Sequence, residues 1–270
     1  MGRPYDTVSF LSDYGRADEF VGVVHSVLRT MAAHATVIDI THDVAPHDIR
    51  AGSLLLARAV QYLAPGVILA VVDPGVGTER RAIAVEVAGG EGVFVGPDNG
   101  LLAPAVAMTG GAVRAVSLSN ATFHLDGPSP TFAGRDLFAP VVAHLCNGTD
   151  LAELGETIDP HGLRPGIIPL NQPEGSKIKA EVLWVDRFGN IQLNVGPEEL
   201  DSLGERVTVR WGDQVRTARR ATTYGDLKGG ELGLVVDSYG LVSITLDRHH
   251  AASELGINES DGVSLEPALL

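Results

Sequence analysis

The chain has 270 residues, of which 44% are hydrophobic and 20% charged, with a formal net charge of −14. That length supports one large or two modest domains with a sizeable core. The acid excess argues against a nucleic-acid binder, whose phosphate contacts need clustered Lys and Arg. It suits a neutral or cationic small ligand, although acidic surfaces mostly serve solubility. A single cysteine, Cys146, excludes an internal disulfide and a cysteine-based zinc site. No apolar run reaches the roughly 18 residues of a membrane span. The start, "MGRPYDTVSFLSDYG", enters a strand without the apolar region of a signal peptide. The expectation is therefore a cytoplasmic protein with no membrane and no nucleic acid among its partners.

In chain order, "TVSFL" (Thr7–Leu11) reads as a short apolar strand. Residues Glu19–Ala33 place Phe20, Val23, Val24, Val27, Leu28 and Met31 at helical spacing. "TVIDIT" (Thr36–Thr41) is the next strand, and Asp48–Leu63 the next helix, stopped by Pro65-Gly66. "VILAVVD" (Val67–Asp73) is wholly apolar up to its last residue, as in a buried parallel sheet. "AIAVEVA" and "GVFVGPDNG" read as a strand pair. Asp136 is placed to cap a helix running to Cys146, with Gly148 just past its end. Strands alternating with helices imply an α/β sandwich with a mostly parallel sheet over residues 1–165.

The stretch "HGLRPGIIPLNQPEGSK" has three prolines and three glycines, a linker composition, with the linker itself set at 166–177. Beyond it "KAEVLWVD", "GNIQLNV", "RVTVRW", "LGLVVDS" and "LVSITL" are short strands with turns between them. They imply a smaller C-terminal β-barrel over 178–270.

Open parallel sheets bind ligands at the carboxyl ends of their strands. Asp13 falls there, after the first strand, and Asp18 at the start of a helix; as isolated residues they read as a turn aspartate and an N-cap. Asp73 ends the most apolar strand, and Arg80, seven residues on, is spaced to pair with it across a Pro-Gly-x-Gly turn and keep the carboxylate ionised. "VGPDNG" is a turn signal. Asp186, Phe188 and Asn190 offer an acid, an aromatic face and an amide within five residues, which suits a ligand with an amine and a purine and equally a plain hairpin. The nine histidines show no tight metal spacing, and Asp39–His42–Asp43 reads as strand-end capping, so no metal is expected. There is no P-loop, dinucleotide fingerprint or nucleophile elbow.

Seven stretches, "FLSDYGxxDEFVG", "VIDITHDVxPxDI", "VVDPGVGTxRR", "GPDNGLL", "GRDLFAP", "VDRFGNIQLN" and "DSYGLVSI", occur in an order that resembles one family along nearly the whole chain. It is the S-adenosyl-L-methionine (SAM) hydrolases (adenosine-forming), or SAM hydroxide adenosyltransferases, relatives of the fluorinase and chlorinase. The resemblance implies a homotrimer with intersubunit active sites, water attacking ribose C5′, departure of methionine, and no cofactor other than the substrate SAM. It implies that Asp13 holds the ribose hydroxyls and that Asp18 lies near the methionine end. Asp186 would bind the methionine ammonium, and Ser238 with the backbone of Tyr239 its carboxylate. Phe188 and Tyr224 would flank the adenine, with Asn190 on its polar edge. His47 falls where the fluorinase has a tryptophan.

The hydrolase branch implies an aspartate, an arginine and a histidine around the attacking water. Asp73 and Arg80 match the first two, but the position of the expected histidine is Ala133. The sequence leaves three readings of Ala133: an engineered substitution made to trap a complex or test the mechanism, a natural site with water held by Asp73 and Arg80 alone, or room for another nucleophile. The alternatives to a hydrolase are a halide-using SAM adenosyltransferase of chlorinase type and a non-catalytic SAM or adenosine binder.

Overall fold

The structure, a computed structural model, describes Gly2 and residues 4–268. The chain divides into two compact units, Met1–Ile167 and Ile168–Leu270. No helix among the described residues is long and apolar enough to cross a membrane.

The first unit is built on β1 (Thr7–Ser12), α1 (Phe20–Met31), β2 (Thr36–Thr41), α2 (Ile49–Val60), β3 (Gly66–Val71), β4 (Ala82–Val87), β5 (Gly92–Pro97), α3 (Ala103–Met108), β6 (Ala112–Ser117), α4 (Ala139–Cys146) and β7 (Glu156–Ile158). The sheet order is β2-β1-β3-β5-β4-β6-β7. The pairings β1–β2, β1–β3 and β3–β5 are parallel, and the remaining three are antiparallel. Five strands consequently run one way, with only β4 and β7 reversed. The strand pair read from "AIAVEVA" and "GVFVGPDNG" is the antiparallel β4–β5 ladder.

Both faces of the central strands are covered, which is why β3 is apolar at every position and buried throughout. Alternate residues Val8, Phe10, Val67, Leu69 and Val71 share one core with Val24 and Leu28 of α1 and Val141, Val142 and Leu145 of α4. The intervening side chains point to the opposite face, which carries α2 and α3. Asp48 caps α2 by accepting from the Ala51 N–H at 2.8 Å. This layering fixes a switch point. From β1 the chain leaves to one side to form β2, then crosses to the other side to form β3. The carboxyl ends of β1 and β3 therefore border a crevice, the place where open α/β sheets hold ligands.

The expected cap of α4 is corrected. Asp136 lies inside a π-helical turn, Gly134–Phe138, that runs directly into α4, and its carboxylate pairs with Arg135 at 2.6 and 2.9 Å instead of capping backbone. The other end is as read: the helix stops at Cys146, and Gly148 adopts φ +84° just beyond. The thiol of Cys146 is buried, and that burial pushes its pKa up to about 12, leaving it inert.

The second unit contains β8 (Gln172–Glu174), β9 (Lys177–Val185), β10 (Ile191–Leu193), α5 (Pro197–Leu200), β11 (Arg206–Trp211), β12 (Gln214–Ala221), β13 (Leu232–Val236), β14 (Val242–Leu246), α6 (Ala251–Leu255) and β15 (Gly262–Pro267). Seven strands in the order β10-β14-β13-β12-β11-β15-β9 close into a barrel through the β9–β10 pairing, with β8 added outside β9. Val182, Ile191, Leu193, Val207, Val209, Leu234, Ile244 and Leu265 fill it. Strand β8 occupies part of the segment whose composition reads as linker.

Candidate active site

Asp13 follows β1 at the switch point, and its N–H donates to Val71 O of β3 at 3.3 Å. Its carboxylate accepts the His47 N–H at 2.9 Å. His47 stands at φ +69°, a left-handed conformation that costs a non-glycine residue about 1–3 kcal/mol and turns its N–H toward Asp13. Asp73, just past β3, accepts both arms of the Arg80 fork: Nε donates to Oδ1 at 2.7 Å, and Nη2 to Oδ2. The two side chains are only 6% and 15% exposed, so this pair is largely out of solvent. The Arg80 guanidinium also lies 5.4 Å from the centre of the Phe138 ring. A planar, bidentate pair fixed from two sides holds the carboxylate in one orientation.

Asp13, Tyr14, Phe20, Pro46, His47, Asp73, Val76, Thr131, Phe132 and Ala133 line a cavity of about 230 Å3. Tyr14, Phe20 and Phe132 form its aromatic wall, with ring centroids 5.0–5.7 Å apart. Burial, then the Asp13 and Asp73 carboxylates, raise the Tyr14 pKa well above that of a free phenol. Tyr14 is thus a neutral hydroxyl beside two acids. A second, more open cavity of about 690 Å3 is lined by Arg80, Arg81, His124 and Asp136, among others. Ala133 is the one residue the two linings share. Asp73 faces the smaller cavity and Arg80 the larger, and Ala133 borders both.

Gly134 is explained by close approach. A Cβ there would lie 2.3 Å from the Tyr14 hydroxyl oxygen and 3.1 Å from the Phe132 ring. Gly134→Ala is expected to destabilise the protein by about 1–3 kcal/mol through this overpacking. Thermal unfolding measures it, and an unchanged melting temperature would show that Tyr14 has room to move.

Of the residues singled out in the sequence, Asp13, His47, Asp73 and Ala133 meet in one cavity, with Arg80 behind Asp73. Asp18 does not join them: it is exposed and absent from the lining, and the position before α1 is taken by Glu19 without a side-chain cap. Tyr14, Phe20, Phe132 and Val76 were not singled out, although each is within three residues of one that was, or within the quoted "FLSDYGxxDEFVG". Asp98, read as a turn residue, is buried; it accepts from Arg81 Nε at 2.9 Å and from the Arg164 N–H at 2.8 Å, tying the end of the first unit to the sheet.

The barrel carries a second polar cluster. Asp186, after β9, accepts from the N–H groups of Phe188 and Asn190 and from the Asn190 side chain, all at 2.8–2.9 Å. Asn190 in turn accepts from Thr245 Oγ1. Asp237 accepts from Gln192, Ser243 and the N–H of Tyr239, which shapes the turn holding Ser238 and Tyr239. Burial, then the charges of Asp237 and Asp186, raise the Tyr224 pKa, so these acids and this phenol share one end of the barrel. Phe188 is 77% exposed and Tyr224 42%, an unusual display of aromatic residues.

The family models for the SAM hydroxide adenosyltransferase N-terminal and C-terminal domains match residues 8–155 and 180–264. The chain belongs to the SAM hydroxide adenosyltransferase family. Among relatives in that family, a protein of Salinispora tropica named (R)-S-adenosyl-L-methionine hydrolase is 46% identical over 96% of this chain and 97% of its own. A Thermus thermophilus protein of the same name is 36% identical over 96% and 98%. The crystal structure of an uncharacterized conserved protein from Thermotoga maritima superposes with a TM-score of 0.88 at 34% identity, covering 96% of this chain and 99% of that one. The family match spans both units, so both polar clusters lie within it.

Proposed function

We propose that this protein hydrolyses SAM to adenosine and L-methionine by attack of water on ribose C5′. The observation that carries the proposal is the buried, bidentate Asp73–Arg80 pair at the end of β3, beside an Asp13 carboxylate oriented by the His47 N–H. Its family relatives at 36–46% identity, named SAM hydrolases, support the choice of substrate and reaction.

In this reading a sulfonium is already a good leaving group, so methionine departs without a general acid, and no cofactor takes part. The protein aligns water with C5′ and excludes competing solvent. Asp13 accepts from the ribose hydroxyls. Asp73, oriented by Arg80, positions the water, and each carboxylate oxygen keeps a lone pair for it after accepting from Arg80. Held by Arg80 through both oxygens, Asp73 orients the water, and a separate base would take the proton. Ala133 supplies none, so the proton leaves through solvent and turnover is slow.

Asp186 takes the methionine ammonium, Ser238 and the Tyr239 backbone its carboxylate, and Phe188, Tyr224 and Asn190 the adenine. Because the ribose-side and methionine-side residues lie on separate units, we infer the homotrimer that the family resemblance implies, each site completed by a neighbouring subunit; light scattering on the purified protein checks its mass. An anionic Asp73 repels chloride from the nucleophile position, which favours water over halide.

Incubation with SAM in chloride buffer followed by chromatography tests the reading. Adenosine and methionine should accumulate in equal amounts. Formation of 5′-chloro-5′-deoxyadenosine would establish the halide-using alternative, and saturable SAM binding without any product the non-catalytic one.

A further inference from the structure

Outside the candidate active site, the fold assembles a second group of chemistry-bearing side chains. His25 comes from α1, while Asp39 and His42 come from β2 and the residue just after it. One ring nitrogen of each histidine and a carboxylate oxygen of Asp39 all lie within 4.8 Å of one another. Asp39 Oδ1 is shared: His25 Nε2 lies 2.8 Å from it and His42 Nε2 3.1 Å. The His42 side chain is wholly buried, yet Nε2 has no hydrogen-bond partner, so its approach to Asp39 lacks hydrogen-bond geometry. Its other nitrogen, Nδ1, is 2.8 Å from Ser12 Oγ. In the tautomer whose Nδ1–H donates to Ser12, Nε2 presents a lone pair to a carboxylate oxygen 3.1 Å away. A cation bound between them would satisfy both lone pairs.

We propose that His25, Asp39 and His42 bind a divalent transition-metal ion of the zinc class. Two imidazoles and one carboxylate form a donor set suited to Zn2+, with water completing a tetrahedron. Bonds of about 2.0–2.1 Å in that geometry separate ligand atoms by about 3.3 Å, close to the 2.8 and 3.1 Å already present around Asp39. The Ser12 hydroxyl is the outer partner that fixes the tautomer of a metal-bound histidine. The half-exposed His25 borders a surface cavity of about 400 Å3, which gives the ion a way in. Arg16 approaches the other oxygen, Oδ2, at 3.6 Å. The Arg16 side chain is 62% exposed, so its charge is screened, and it leaves Oδ1 to the ion.

The site is structural, not part of the displacement at C5′. It joins α1 to β2 beneath the loop that begins at Asp13, since Gly15 N–H donates to His42 O at 2.8 Å.

The test uses full-length, tag-free protein stripped with a chelator, titrated with Zn2+ against a chromophoric competitor and separately with Co2+. The expected result is one tight site per chain, a four-coordinate Co2+ spectrum, and a Zn2+-dependent rise in melting temperature. His25→Ala, a surface change, should abolish all three, and Ser12→Ala should weaken binding by about 10–100-fold. Absence of stoichiometric Zn2+ binding, or equal binding by wild type and His25→Ala, would overturn the proposal.

Discussion

Asp73→Asn is expected to lower kcat for SAM hydrolysis by about 10²-fold or more, the scale on which a small misplacement of a reacting group acts. Asparagine keeps the shape but offers one acceptor oxygen to two Arg80 donors and sets its amide hydrogens against the other. Because the pair is largely buried, breaking it also costs stability, by about 3–5 kcal/mol for a fully buried case. A comparison separates the two effects. Asp98→Asn disrupts the neighbouring Arg81 pair, neither member of which lines the 230 Å3 cavity, and should lower the melting temperature while sparing kcat far more. Steady-state kinetics and thermal unfolding of both variants decide it. If Asp73→Asn retained near-normal kcat, the ion pair would be structural and the water would be held elsewhere.

The opposite sign is expected at Ala133. Ala133→His places an imidazole on the border of the two cavities that Asp73 and Arg80 line, and should raise kcat by about 10²–10⁴, the usual contribution of a positioned general base. KM should change little, because the proposed ribose and methionine contacts lie on other residues. The variant should also acquire a pH limb. A base acts unprotonated, so kcat falls as pH drops through the imidazole pKa, about 6.5 when unperturbed. The parent should lack that limb. A histidine variant no faster than the parent would mean that Asp73 and Arg80 suffice, and that Ala133 impairs nothing.

What the sequence disclosed, and what it hid, follows from locality. The buried run at Val67–Val71 and the alternating "TVIDIT" carry their own periodicity, and Asp73 and Arg80 lie close enough in sequence for their pairing to be anticipated. Strand β12 was missed because "QVRTARRA" has three arginines and buries only Ala218; it is a strand because the barrel needs a wall between β11 and β13. The role of Asp136 as a cap failed because a π-turn, set by Gly134 closing on Tyr14, carries the chain into α4 without a break. The His25–Asp39–His42 cluster is only partly legible for a related reason: Asp39 and His42 stand together at a strand end, but His25 does not. Along the chain the spacing of His25 to Asp39 matches no ligand motif, and only the packing of α1 against β2 joins them.

The proposed attack of water on C5′ of SAM takes place at the Asp73–Arg80 pair. Its most direct test is turnover of SAM by the wild-type protein in 18O-labelled water, with both products read by mass spectrometry. The adenosine should carry one 18O, at the 5′ hydroxyl, and the methionine none, in equal amounts. Unlabelled adenosine, label in a methionine-derived product, or SAM recovered intact after prolonged incubation would contradict it.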